Sequence, residues 1–123
     1  MKKILLVVLL FTCFMLQAEV LKFKAYESAI KEYSWQEWSD WEDTNLLVVF
    51  DAEKETVILY GNVIHDFDVI DAEEIDENNY LLTCIDEDGE MCYLKFRRVD
   101  DIFQLYIVWD AHDLQIVYNL KLR

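Results

Sequence analysis

The sequence predicts an all-β domain: a small antiparallel meander of seven or eight strands, curled into a barrel or closed sandwich. Three observations carry this. The chain has no proline and two glycines, so little interrupts its runs of Val, Ile, Tyr, Phe and Trp, side chains that suit a pleated surface. Apolar residues recur with period two in the clearest runs, as in half-buried strands. Short polar links separate several runs, which favours antiparallel pairing of sequence neighbours, and many strands hide their edges best by closing on themselves.

Met1 to Ala18 reads as an export signal to be cleaved. Lys2 and Lys3 give the positive start, Ile4 to Leu16 an apolar run, and Gln17-Ala18 a small-residue end before Glu19. Thirteen apolar positions fall short of the roughly 20 that cross a bilayer as a helix, so a retained anchor is disfavoured. Lipid attachment at Cys13 is disfavoured too, because Phe11-Thr12 before it lacks the small residue that such processing needs. Residues 19–123 then form one domain, placed in the periplasm or secreted, with no stable membrane insertion.

Along that domain, an early strand from about Val20 to Tyr33 puts Leu21, Phe23 and Ala25 on one face. Leu46–Asp51 and Thr56–Asn62 are two β-branched runs joined by Ala52-Glu53-Lys54-Glu55. Phe67–Ile70 supplies a short strand, and Phe103–Asp110 and Leu114–Leu122 repeat the hairpin design around Ala111-His112-Asp113. In the last strand Leu114, Ile116, Tyr118, Leu120 and Leu122 share a face. The competing architecture is an antiparallel sheet with one helix within residues 25–42, where Trp35, Trp38 and Trp41 have helical spacing.

Cys84 and Cys92 flank a turn. Taking Glu87, Asp88 and Gly89 as a three-residue loop, with Gly89 in the left-handed position, pairs Cys84 with Cys92, Leu82 with Leu94 and Tyr80 with Phe96. In an oxidising compartment that register predicts a structural cross-strand disulfide between Cys84 and Cys92, worth about 2.5 kcal/mol for so short a loop.

Loss of the signal, which carries two lysines and no acid, takes the net charge from -14 to -16. Such a balance disfavours nucleic acid and anionic membranes, whose recognition draws on clustered Lys and Arg. It leaves a basic partner, a neutral ligand or simply a solvated acidic surface. Asp66, Asp68, Asp71, Glu73, Glu74, Asp76 and Glu77 form an acidic cluster, and Asp86, Asp88 and Gly89 touch on a calcium-loop pattern that is too short to complete. Alternating acids on a solvated strand and loop explain the cluster at least as well, so no metal or other cofactor is expected.

Nothing in the chain reads as catalytic machinery. His65 and His112 lie in no metal-ligand spacing and read as solvated surface, and Ser28, Ser34 and Ser39 lack a nucleophile-elbow context. Trp35, Trp38 and Trp41 are the candidate ligand-binding residues, since an indole offers a rigid apolar face and one N–H. Packing in the core or plugging a barrel end is the favoured role for them, ahead of ligand contact.

Trp38-Ser39-Asp40-Trp41, Asn45-Leu46-Leu47-Val48-Val49, Phe67-Asp68-Val69-Ile70, the Cys84–Cys92 hairpin, Leu105-Tyr106 and Val117-Tyr118-Asn119 together resemble a group of small exported proteins of gut anaerobic bacteria. The resemblance implies one compact module and no assigned activity. Two functions follow as expectations: a non-catalytic binding module for a small molecule, glycan or peptide, or an acidic interaction factor, such as an inhibitor or envelope component, docking on a basic partner.

Overall fold

The computed structural model describes residues 20–123; the signal segment and Cys13 lie outside them. Eight strands follow in order: β1 (Val20–Lys31), β2 (Glu42–Asp51), β3 (Thr56–Tyr60), β4 (His65–Asp76), β5 (Asn79–Ile85), β6 (Met91–Val99), β7 (Ile102–Trp109) and β8 (Leu114–Leu122). Each pairs antiparallel with its sequence neighbours, and β8 returns to pair with β1, closing the barrel. Closure satisfies the ladder of every strand and leaves no open edge. The predicted barrel is therefore the fold, and the helix competitor is not: β1 runs to Lys31, residues 32–36 turn and bend, and 37–41 are irregular up to β2.

The two twelve-residue strands bend. β1 shifts register between Ala25 and Glu27 against both neighbours, and β4 shifts between Val69 and Asp71 and again between Glu74 and Asp76. Bulges of this kind turn barrel corners and sharpen the twist. Those in β4 also break the alternation that marks a strand, so the sequence shows only Phe67–Ile70 of an element that runs to Asp76.

Alternation places the core inside. Leu21, Phe23 and Ala25 of β1, Phe50 of β2 and Leu105 of β7 point into the lumen and are buried. Phe23 is the centre of an aromatic cluster, its ring centroid 5.6, 5.5 and 5.4 Å from those of Phe50, Phe96 and Phe103. Phe67 and Trp109 form a second group, 5.8 Å apart. These rings fill the lumen, as in small barrels whose interior holds side chains in place of a ligand.

The outer wall is polar in the same alternation, with Lys22, Lys24, Asp66, Asp68, Lys95 and Lys121 exposed. A lipid-embedded barrel shows the reverse, apolar outward and polar inward. Among the described residues no helix is long and apolar enough to cross a membrane.

The β5–β6 hairpin has the register expected from its sequence. Cys84 faces Cys92, Leu82 faces Leu94 and Tyr80 faces Phe96. Gly89 takes a φ of 81°, and Asp86 N–H donates to Glu90 O at 2.9 Å. The Asp86 carboxylate accepts from the backbone N–H of Asp88 and of Glu90, both at 2.9 Å, which fixes the loop locally.

The disulfide expected between Cys84 and Cys92 is not formed: both are free, buried thiols. Its physical obstacle lies in the register. Asp86 and Glu90 are a hydrogen-bonded pair, so alternation makes Cys84 and Cys92 hydrogen-bonded as well, the wider of the two antiparallel pair types. Opposed Cβ atoms there lie near 5.5 Å, against a mean of about 3.8 Å in a disulfide. Burial pushes both thiols up in pKa, Cys92 to about 12 with help from the charges of Asp86 and Glu87. They serve the core as small apolar groups.

Candidate functional site

With the lumen filled, it is the outer wall that offers room for a ligand among the described residues. A groove of about 580 Å³ crosses β5, β6 and β7, lined by Ile75, Asn79, Leu81, Lys95, Arg97 and Tyr106, with Trp38 among its walls. That volume is within the usual range for small-molecule sites.

Trp38 reaches the groove because the β1–β2 connection folds back. Ser39 N–H donates to Ile30 O at 2.9 Å, and the Ser39 hydroxyl accepts from Ile30 N–H at 2.9 Å. Farther along, the Asp113 carboxylate accepts from Ser34 N–H at 2.9 Å, tying the connection to the β7–β8 turn. Trp38 then meets Tyr106 edge to face, with centroids 6.0 Å apart and planes at 81°.

From Arg97 of the groove a chain of polar side chains runs across four strands. Arg97 Nε donates to Gln104 Oε1 at 2.9 Å, Gln104 Nε2 to Asn119 Oδ1 at 2.8 Å, and Asn119 Nδ2 to Glu27 Oε1 at 3.1 Å. Each amide accepts from the arginine side and donates toward the carboxylate, so the bonds polarise one another in one direction. Arg97 also donates through Nη2 to the Tyr106 hydroxyl at 2.8 Å, its guanidinium carbon 4.8 Å from the ring centroid. Its hydrogen-bond partners here are neutral, while Lys95 adds a second positive charge to the lining. The groove thus offers an indole, a phenol and two cations in a largely apolar trough.

Of the three tryptophans named from sequence, the structure brings only Trp38 to this site. Trp35 is 78% exposed and stacks on Tyr33, with centroids 5.6 Å apart and planes at 13°. Trp41 is 45% and Trp38 37% exposed. The favoured expectation that they pack in the core or plug a barrel end is therefore corrected: phenylalanines and Trp109 occupy the lumen. Arg97, Gln104 and Glu27 are not among the residues the sequence points to, and Tyr106 and Asn119 enter there only through the resemblance. They lie on four strands, β6, β7, β8 and β1, and only closure of β8 on β1 brings Glu27 beside Asn119.

The histidines are surface residues with partners. His65 Nδ1 lies 3.0 Å from Glu87 Oε1, and His112 Nε2 pairs with Glu90 Oε2, so both grip the same hairpin tip. The acids of β4 stand largely on the outer wall. Asp66 is pushed up in pKa by burial, then by the charges of Asp68 and Glu87. Asp76 is lowered instead, its carboxylate accepting from the backbone N–H of Asn78 and the Asn79 side chain in the β4–β5 turn. Among the described residues no group of three or more His, Cys, Asp or Glu is arranged to hold a metal ion.

No family model, curated protein or solved structure matches this chain.

Proposed function

We propose that this chain is an exported, non-catalytic binding module whose ligand lies in the outer-wall groove. The ligand we infer is a small molecule, or the end of a glycan or peptide, offering a flat apolar face and an acidic group. One observation carries the reading: Trp38 is held against Tyr106 beside Arg97, whose side chain bonds to neutral partners. An aromatic trough with an unneutralised guanidinium suits a planar anion, which the guanidinium can meet with parallel donors. The chain from Arg97 to Glu27 fixes the arginine before any ligand arrives, which lowers the ordering cost of binding.

Titration with 1-anilinonaphthalene-8-sulfonate, a flat anion, tests this by fluorescence. Saturable binding that weakens at least about tenfold in Trp38→Ala and in Lys95→Gln, roughly 1.4 kcal/mol each, with unchanged circular dichroism, supports the groove. Equal binding by wild type and both variants sinks it. The competing reading is an acidic factor that docks on a basic partner, and it draws on Asp66, Asp68, Asp71 and Glu73 of β4. It predicts instead that an oligolysine peptide binds and is released as salt rises.

A further inference from the structure

The second feature of the outer wall is a concentration of positive charge in a strongly acidic chain. Lys24 of β1 and Lys121 of β8 are direct cross-strand partners. Arg123 N–H donates to Lys22 O at 3.1 Å, which continues the same register by one more outward pair. Two successive like-charge pairs thus share one face, a rectangle about 5 Å across and about 7 Å along the strands. These are four of the nine Lys and Arg among the described residues.

Like charges directly opposed weaken a sheet, and none of the four forms an ion pair with a described carboxylate. Lys121 is steadied by the Tyr26 ring, its Nζ 4.6 Å from the centroid. The rectangle borders a cleft of about 510 Å³ lined by Lys24, Asn45, Leu46, Leu47, Lys121 and Arg123, among others. The acids of β4 lie four strands from β8, and the nearer carboxylates, Glu27 of β1 and Asp43 and Asp51 of β2, sit at register positions outside the two cation pairs. At physiological salt, fields fade over about 8 Å, so the cations that line the cleft weigh most on what enters it.

We propose that Lys24, Lys121 and Arg123, which line this cleft with the Asn45 amide, form a receptor for a phosphate-bearing anion, independent of the Trp38 groove, and that Lys22 adds positive charge beside it. A multiply charged oxyanion offsets the repulsion within the opposed pairs and accepts from the donors that line the cleft. Leu46 and Leu47 give the cleft an apolar flank, so the phosphate belongs either to a soluble ester or to a lipid headgroup.

Inorganic pyrophosphate is the probe, with thermal unfolding and calorimetric titration as readouts. Wild type is expected to bind it, with a higher melting temperature and an affinity that falls steeply with salt. Lys24→Gln/Lys121→Gln is expected to lose at least about tenfold in affinity, and to melt no lower than wild type without ligand, because an opposed like-charge pair is gone. Lys31→Gln, a single charge change at the far end of β1, should bind as wild type does. No pyrophosphate binding by wild type, or equal binding by the double variant, overturns the proposal. Where pyrophosphate binds, co-sedimentation with phosphatidylglycerol vesicles but not phosphatidylcholine vesicles, competed by pyrophosphate, assigns the phosphate to a headgroup; binding without co-sedimentation assigns it to a soluble ester.

Discussion

Replacing Phe23 by alanine tests whether the lumen is solid. The ring is fully buried and meets Phe50, Phe96 and Phe103 at centroid distances of 5.4 to 5.6 Å. Truncating a buried phenylalanine costs about 3–5 kcal/mol through lost transfer energy and the cavity left behind. Three ring contacts place Phe23 in the upper part of that range, near 4 kcal/mol, since each adds about 0.5–1.5 kcal/mol beyond area burial. A domain of this size has about 5–15 kcal/mol in all, so the variant should remain folded but lose a large share of its stability. Urea unfolding followed by tryptophan fluorescence reads the loss as a lower midpoint at unchanged slope. Phe23→Leu, which keeps much of the volume, should lose roughly 1.5 kcal/mol. A loss below about 1 kcal/mol in Phe23→Ala would show that the side chain borders a solvated cavity, and the argument for an outer-wall site would go with it.

Cys84 and Cys92 should resist iodoacetamide in the native protein and take two adducts in denaturant without reductant, because a pKa near 12 leaves about one thiol in ten thousand ionised at pH 8; a mass two daltons low, with no labelling, would restore the disulfide. Asp66→Asn should raise stability at pH 7 and change little at pH 3. The folded-state pKa of Asp66 is raised, so its ionisation disfavours the fold as pH climbs through that value, and removing the charge relieves this; a neutral or negative effect at pH 7 in urea melts would contradict the electrostatics. Glu55→Gly should stabilise by about 1 kcal/mol. Glu55 holds φ at 57° with a buried carboxylate oxygen lacking a partner, and glycine removes both penalties at a smaller entropic cost.

The parts of the fold legible in the sequence are those set by local rules. Gly89 and the alternation on either side fixed the β5–β6 register residue by residue, and the period-two run Leu114–Leu122 gave β8 its bounds. β4 was seen only in part because its bulges shift the pleat, and the acids beyond Asp71 then imitate a loop. The tryptophan spacing misled for a related reason. A separation of three residues fits a helix face, but it also fits a connection that doubles back, and only the Ser39–Ile30 bonds distinguish them. The disulfide failed on a finer point: facing cysteines are necessary, but the pair type decides whether their Cβ atoms approach closely enough. The polar chain behind Arg97 was illegible because its members belong to separate strands. Asn119 was visible as a polar residue on the outer face of β8, yet its burial and its link to Glu27 depend on closure of the barrel.

Amide chemical-shift mapping with 1-anilinonaphthalene-8-sulfonate tests the central claim most directly, that recognition takes place on the outer wall over a filled lumen. The account predicts perturbations confined to Trp38, Asn79, Leu81, Lys95, Arg97 and Tyr106, the groove lining. Perturbations centred on Phe23, Phe50 and Leu105, residues that point inward, would place the ligand in the lumen and contradict it.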